Sequence, residues 1–526
     1  MVRRSKRDTL EPVRKIPAIL AFALLGFQAA LPWTARQFVT EDGPSHVYES
    51  IVARDLLLSP QSPYHSVYMV QHGPIPNWTS TALLALFASI AGARHAEQLL
   101  VSFLMVFGFY AFSYAARGFP GAPARWTPLA NALLMTFFLT RGYYNLQLGM
   151  MFGLLILGYA VRHMEDITRT RAAILGICWI VLFFTHLLPA VLVLMAFLAM
   201  AAWVHAPRCR WASLALLAAS AIPTVALVIW YARGLRSAGA PSNAMAALRG
   251  FPSYLFWVSS GYAGHQAYLF PGLLGLLIVA LVYIKGADWM TARGGLAIAA
   301  AVTFGLYLFI PDEGFGGGGE IKVRVAWAAL LFAGVLAASV SIPRRIWIGF
   351  SVFFAAATLV SISTVTTVNT RASRFVDEYE TALSRIPAGS TVLRLYYPMP
   401  FNSEQFGIPA DLLFLPLLHT DSAVAAERRY IELSNYEAAA RIFPIVFQPR
   451  FSPGDQWLLW TLDNSGKDGS QRLERLRQTL PVAIDYYVLL GEDSGPDVPQ
   501  VRRELESAGK RVVGSAGDPP FVRVYH

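Results

Sequence analysis

The feature that most constrains this chain is a succession of apolar runs separated by short polar connections. Inside a bilayer no water is at hand for the backbone, so such runs have to be helices that satisfy their own N–H and C=O groups. The runs are residues 16–33, 99–116, 127–140, 147–161, 172–185, 187–204, 212–232, 271–284, 294–310, 325–342 and 346–364, about eleven candidate spans of a hydrocarbon core roughly 30 Å thick. Residues 80–91 are apolar too, but too few to cross, and are read as a re-entrant or interfacial helix on the outer side. Composition agrees: 55% of the 526 residues are hydrophobic and 14% charged, against about 25% charged in soluble domains.

The basic residues set the orientation. Arg3-Arg4-Ser5-Lys6-Arg7 precedes the first run, and further clusters (Arg117 and Arg125, Arg162 to Arg171, Arg208 and Arg210, Lys285 and Arg293, Arg344-Arg345) fall on alternate connections. Positive residues are retained in the cytoplasm, which puts the N-terminus inside and the C-terminus outside a bacterial inner membrane. Counting residues 80–91 as a span would move two of these clusters outside. The net charge of +10 therefore reads as topology, with membrane lipids as partners and no nucleic-acid face. Ala30-Leu31-Pro32-Trp33 is a poor cleavage site, so the first run reads as an uncleaved signal anchor. Cys178 and Cys209 lie in or beside apolar runs and suggest neither a disulfide framework nor a metal site.

Beyond residue 370 the charge density rises and no apolar run is long enough to span. The expected organisation is a membrane module, 1–370, with an outer loop at 39–96, followed by a soluble extracytoplasmic α/β domain, 371–526. In the latter, 375–386 and 501–508 read as helices, and 391–396, 485–490, 511–513 and 521–524 as strands. No P-loop, dinucleotide glycine fingerprint, zinc spacing or internal repeat is present.

Four polar groups fall on outer connections. The first is Thr40-Glu41-Asp42-Gly43-Pro44-Ser45-His46, just after the first span. Gly43-Pro44 signals a turn, and Ser45 is placed to cap an amphipathic helix over 46–58 that carries Arg54 and Asp55. Gly73-Pro74-Ile75-Pro76-Asn77 then makes a rigid extended return. The second group is Arg141-Gly142-Tyr143-Tyr144-Asn145, the third His186, and the fourth the glycine-rich stretch from Asp312 through Glu320 to Lys322 and Arg324. Each has a plain structural alternative. Carboxylates can merely face water, Tyr143 and Tyr144 suit an interfacial belt, His186 a turn, and the glycine run a linker. Arg324 can snorkel to headgroups, or hold a lipid phosphate bidentately. His265 and His419 have less to recommend them.

The acidic residue after the first span, the outer loop with its helices, the second span entered through Ala96-Glu97-Gln98-Leu99-Leu100, the polar middle corner and the outer C-terminal domain together resemble the integral-membrane GT-C glycosyltransferases. That superfamily includes protein O-mannosyltransferases and lipid A aminoarabinose transferases. The likeness covers about 16–364 as architecture, and Glu41 to His46 is its one short motif with chemical content. Many members carry a second acidic residue at the middle corner, where this chain has Asn145.

The resemblance implies a mainly α polytopic bundle that moves a sugar from a polyprenyl phosphate or diphosphate to an acceptor hydroxyl outside the cytoplasm. The donor would be a polyprenyl-phosphate-linked sugar and the acceptor an envelope lipid, glycan or protein. A lipid phosphate leaves as a stable anion and needs no general acid, so a single carboxylate acting as base suffices. The expected catalytic residues are Asp42, with Glu41 as the alternative and His46 to orient it. Arg324 and Lys322 would clamp the phosphate, and Glu320, Arg141, Tyr144, Asn145 and His186 would line the substrate site. No cofactor is implied; a divalent metal is compatible with the chemistry but has no support in the sequence. A transporter of lipid-linked sugars and a catalytically silent scaffold remain as alternatives, the first disfavoured by the scarcity of ionisable residues within the spans.

Overall fold

The structure is a computed structural model that describes residues 11–123, 125–234, 243–249, 269–284, 286–312, 319–396, 417–451, 480–491, 498–518 and 520–526. Most of the glycine run (313–318) and His265 lie outside these residues. The chain forms two compact units. The first holds Met1–Leu31, Val101–Leu139 and Tyr144–Val365; the second holds Pro32–Leu100, Thr140–Tyr143 and Thr366–His526.

The first unit is helical. Among the described residues of the chain, eight helices are long and apolar enough to cross a membrane: Ile16–Thr34, Ala93–Ala116, Tyr144–His163, Leu187–Arg208, Trp211–Ala232, Ala292–Phe309, Ile321–Ser339 and Arg344–Leu383. Two further expected runs form shorter helices, Arg169–Thr185 of 17 residues and Leu269–Tyr283 of 15. Small residues bring the helices close, as expected where lipid and side chains are equally apolar. A Cβ on Gly295 would lie 2.5 Å from the Met200 Cα, so only glycine fits between these two backbones.

The expected run 127–140 is not one helix. It breaks at Met135-Thr136 into Pro128–Leu134 and Phe137–Arg141. The break is tolerated because protein groups take over the carbonyls it frees. The Gln28 side chain donates to the Asn131 carbonyl at 2.8 Å, and the Trp327 indole donates to that of Leu133 at 3.2 Å. Asn131 returns a 2.8 Å bond to Gln28, so two fully buried amides pair across this interface.

The second unit is built around the helix Gly43–Leu58 and a five-stranded sheet. Its strands are β1 (Tyr68–Val70), β2 (Thr391–Tyr396), β3 (Ile431–Glu432), β4 (Ile445–Phe447), β5 (Tyr486–Leu490), β6 (Val512–Gly517) and β7 (Pro520–Tyr525). The sheet runs in the order β3-β2-β5-β7-β6, parallel across β3, β2 and β5 and antiparallel through β7 to β6. β1 pairs antiparallel with β4, with Met69 opposite Val446, and so ties the segment after the first helix to the C-terminal segment.

Three expectations need correction in this unit. Residues 375–386 are not a separate helix, because Arg344–Leu383 runs unbroken for 40 residues. No proline or glycine lies between Phe350 and Leu383, and Pro387 stops the helix shortly after its end. The helix read over 46–58 starts at Gly43, with Asp42 at the capping position and no side-chain cap; Ser45 lies inside the first turn. Nor is that helix amphipathic, since 13 of its 16 residues are buried. Residues 78–91 do form the short apolar helix expected, Trp78–Ala91, of 14 residues.

Candidate functional site

The segment Thr40–Gly43 is held by its backbone before its side chains act. The Glu41 and Asp42 amides donate to the carbonyls of Thr140 and Arg141 at 3.1 and 3.0 Å. Two glycines permit this approach. Gly142 has φ of 82°, and a Cβ there would sit 2.6 Å from the Gly43 nitrogen. A Cβ on Gly43 would in turn collide with Glu97 Oε1. The Thr40 hydroxyl donates to that same oxygen at 2.5 Å and accepts from the Gly43 amide at 3.1 Å. Each strap residue is therefore fixed by a named contact.

The two neighbouring carboxylates have different partners. Glu41 is ion-paired with Arg141, both side chains being largely buried. Asp42 keeps 17% of its side chain exposed, and its Oδ1 lies 3.7 Å from His419 Nε2. His419 is 1% exposed, stacks on Tyr436 with ring centroids 4.9 Å apart, and has Nδ1 3.4 Å from the Arg394 guanidinium. A guanidinium can only donate, so Nδ1 is the accepting nitrogen and the proton sits on Nε2, towards Asp42. Burial, with Arg394 and His46 nearby, holds His419 well below the ordinary histidine range, so the imidazole is neutral.

Behind Asp42 lies a buried set. His46 Nδ1 is 2.5 Å from Glu437 Oε1, and Glu49, one helical turn on from His46, is fully buried beside both. Burial raises the Glu437 carboxyl to about 8 and pushes Glu49 in the same direction. A second buried network adjoins it in sequence: Arg394 pairs with Asp421 at 3.0 Å, the Ser422 hydroxyl donates to Glu432 at 2.7 Å, and the Tyr48 hydroxyl accepts from the Glu432 amide at 2.9 Å. A separate cavity of about 440 Å³ is lined by Arg54, Arg94, His95 and Arg429, but all three arginines are already ion-paired, to Asp55, Glu427 and Glu380.

Of the residues expected from sequence, Glu41, Asp42, His46 and Arg141 come together in the second unit. Tyr144, Asn145, His186, Glu320, Lys322 and Arg324 belong to the first. There Tyr144 and Asn145 are buried in the first turn of their helix. The His186 Nδ1 accepts the Leu188 N–H at 3.1 Å and so caps the next helix. Glu320 is the left-handed residue (φ 57°) before Ile321–Ser339, Arg324 is in its first turn, and the buried Lys322 ammonium stands 5.6 Å from the Tyr307 ring centre. Sequence reading set His419 aside, named Glu97 only as part of the second span's entry, and gave no role to Glu49 or Glu437. Only Glu49 had a local signal, its position three residues after His46, which puts both on one helix face.

No family model and no curated protein matches the chain. Similar solved structures include ArnT from Cupriavidus metallidurans bound to undecaprenyl phosphate, at 12% identity over 99% of this chain and 98% of that one, with a TM-score of 0.49. Another is the Archaeoglobus fulgidus oligosaccharyltransferase in complex with zinc and sulfate, at 13% identity over 89% and 67%, with a TM-score of 0.42.

Proposed function

We propose that the chain is a membrane glycosyltransferase that moves a sugar from a polyprenyl-phosphate-linked donor to an acceptor hydroxyl on the outer side of the membrane, with inversion and with Asp42 as general base. The observation that carries this reading is the contrast between the two adjacent carboxylates. Glu41 is committed to Arg141, whereas Asp42 retains an exposed edge beside a neutral imidazole. A carboxylate with an accessible edge can reach an acceptor hydroxyl, and one held by its own amide keeps its direction.

In the step itself the Asp42 carboxylate takes the proton of the acceptor hydroxyl as its oxygen attacks the anomeric carbon. The bond from that carbon to the phosphate oxygen breaks, and polyprenyl phosphate departs as an anion. The departing group is stable without protonation, so no second carboxylic acid is required, and Asn145 at the middle corner is no obstacle. His419 acts on Asp42 as a positioning residue. The same reading assigns phosphate binding to Arg324 and Lys322, cations at the start of Ile321–Ser339. The deciding experiment is transfer by purified, reconstituted protein from a panel of polyprenyl-phosphate sugars to envelope acceptors. Product that forms with the wild type and not with Asp42→Asn supports the reading. Lipid-linked sugar that crosses the bilayer without any product would make the protein a transporter instead.

A further inference from the structure

The group His46, Glu49 and Glu437 has a composition and a degree of burial that the transfer step does not use. His46 and Glu49 lie on one face of Gly43–Leu58, a turn apart, and Glu437 comes from the short helix Tyr436–Ala440. All three are buried, and their ligand atoms lie within 4.8 Å of one another. Glu437 meets His46 Nδ1 at 2.5 Å and has side-chain hydrogen bonds with Ser45 and Glu49, and Glu49 also has one with the Ile445 backbone. The Thr81 hydroxyl adds a bond of 3.4 Å to Glu49 Oε2. Burying two carboxylates side by side is expensive even so, since each loses its hydration and repels the other.

We propose that His46 Nδ1, Glu49 and Glu437 bind a divalent transition-metal ion of the zinc type, which fastens the helix Gly43–Leu58 to Tyr436–Ala440. One imidazole and two carboxylates are a donor set that suits zinc, and a doubly charged cation cancels the two carboxylates. Tetrahedral ligand atoms about 2.0–2.2 Å from such an ion stand about 3.3–3.6 Å apart, so atoms now up to 4.8 Å apart would draw in, while His46 Nδ1 and Glu437 Oε1, now 2.5 Å apart, would open to admit it. The ion would be structural. It would hold two segments far apart in sequence and, through the first turn of the helix, the direction of the Asp42 strap. The competing account is a single proton shared by the two carboxyls, which fits their raised pKa directions without any metal. This inference is independent of the transferase reading, because a metal clip would serve a scaffold or a transporter equally.

The test uses the full-length protein in detergent, stripped with chelator and re-equilibrated with Zn²⁺, and separately with Co²⁺ for its absorption bands. The expected result is one tightly held ion per chain, with an unfolding temperature that rises on loading and falls on chelation. His46→Ala and Glu437→Gln should each weaken binding at least about tenfold and abolish the cobalt spectrum. Glu427→Gln, on an exposed acid, should change nothing. Should Glu437→Gln not fold, Glu49→Gln is read in the same way. A wild type that takes up no more metal than a chelated control overturns the proposal. So do variants that bind as the wild type does, and so does a Glu437→Gln protein as stable as the wild type with no response to metal; this last outcome establishes the shared proton.

Discussion

Glu41 and Asp42 are neighbours of the same chemical type, and their environments separate them. General-base assistance is worth about 10²–10⁴ in rate, so Asp42→Asn should lose most turnover while donor binding and folding survive, measured by reconstituted transfer and by thermal unfolding. Glu41→Gln should do the reverse, because it strips a buried guanidinium of its counter-charge. Breaking such a pair costs up to about 3–5 kcal/mol, which shows as a lower unfolding temperature with chemistry largely intact in what remains folded. For Arg324, removal to alanine should weaken donor use about ten- to a hundredfold, a charge-assisted hydrogen bond being worth roughly 1.5–3 kcal/mol. Lysine should restore only part of this, since it lacks the planar fork; unchanged donor affinity in Arg324→Ala would leave Arg324 a headgroup anchor. Glu432 gives a pH signature. Burial and the nearby Asp421 raise its carboxyl from an ordinary 4.5 to about 8, so the folded state holds a proton that the unfolded state has lost. Its contribution to stability is therefore present below pH 4.5 and declines as pH rises towards about 8. Glu432→Gln should flatten that part of the curve of unfolding temperature against pH, and an unchanged slope would show that the decline comes from another group. At this scale the sequence was legible only where residues were close in the chain. Glu41, Asp42 and Arg141 were named from local pattern, and so was the His46 position. Glu437 and His419 were not given roles, because nothing near them in sequence points to a helix hundreds of residues earlier.

Among the elements, length decided what could be read. Long apolar helices announce themselves through composition, and strand β2 fell on its expected residues, Thr391–Tyr396. Strands β1, β3 and β4 have two or three residues each, too few to carry an alternation, and they exist because a partner supplies their hydrogen bonds. The break at Met135-Thr136 was invisible for a related reason: its support comes from Gln28 and Trp327, outside the run. The long helix Arg344–Leu383 shows the opposite case, where the polar composition after residue 364 suggested a boundary that the backbone had no cause to make. Continuity matters locally, because the Asn369 side chain on that helix accepts the Val39 N–H at 2.8 Å in a fully buried setting. Asn369→Ala would leave that N–H without its acceptor and should cost about 1–3 kcal/mol. Ala372→Pro, one turn on, removes a helical hydrogen bond and should cost about 3 kcal/mol or more. Chemical denaturation of the detergent-solubilised protein measures both; an Ala372→Pro protein as stable as the wild type would mean that the helix tolerates a kink there.

For the whole molecule, we propose that the distribution of charge sets the orientation, which would decide which substrates can reach Asp42. On the span reading of the sequence, the arginines at Arg117, Arg162 to Arg171, Arg208-Cys209-Arg210 and Arg344-Arg345 occupy alternate connections, and the acidic strap and the C-terminal sheet fall on the others. Nucleotide-activated sugars are confined to the cytoplasm, so an outward-facing Asp42 requires a donor carried on a lipid. Ser45, on the strap itself, is 1% exposed and unsuitable for labelling. Exposed positions exist at Gln61, Thr168 and Ser507, and Cys209 is an exposed native thiol. In a background lacking native cysteines, Gln61→Cys and Ser507→Cys should react with an impermeant thiol reagent in sealed cells. Thr168→Cys, and Cys209 in the native protein, should react only after lysis. If Thr168→Cys were labelled in sealed cells while Gln61→Cys was protected, the orientation would be inverted. Asp42 would then face the cytoplasm, where a soluble nucleotide sugar is available, and the argument for a lipid-linked donor would lose its physical basis.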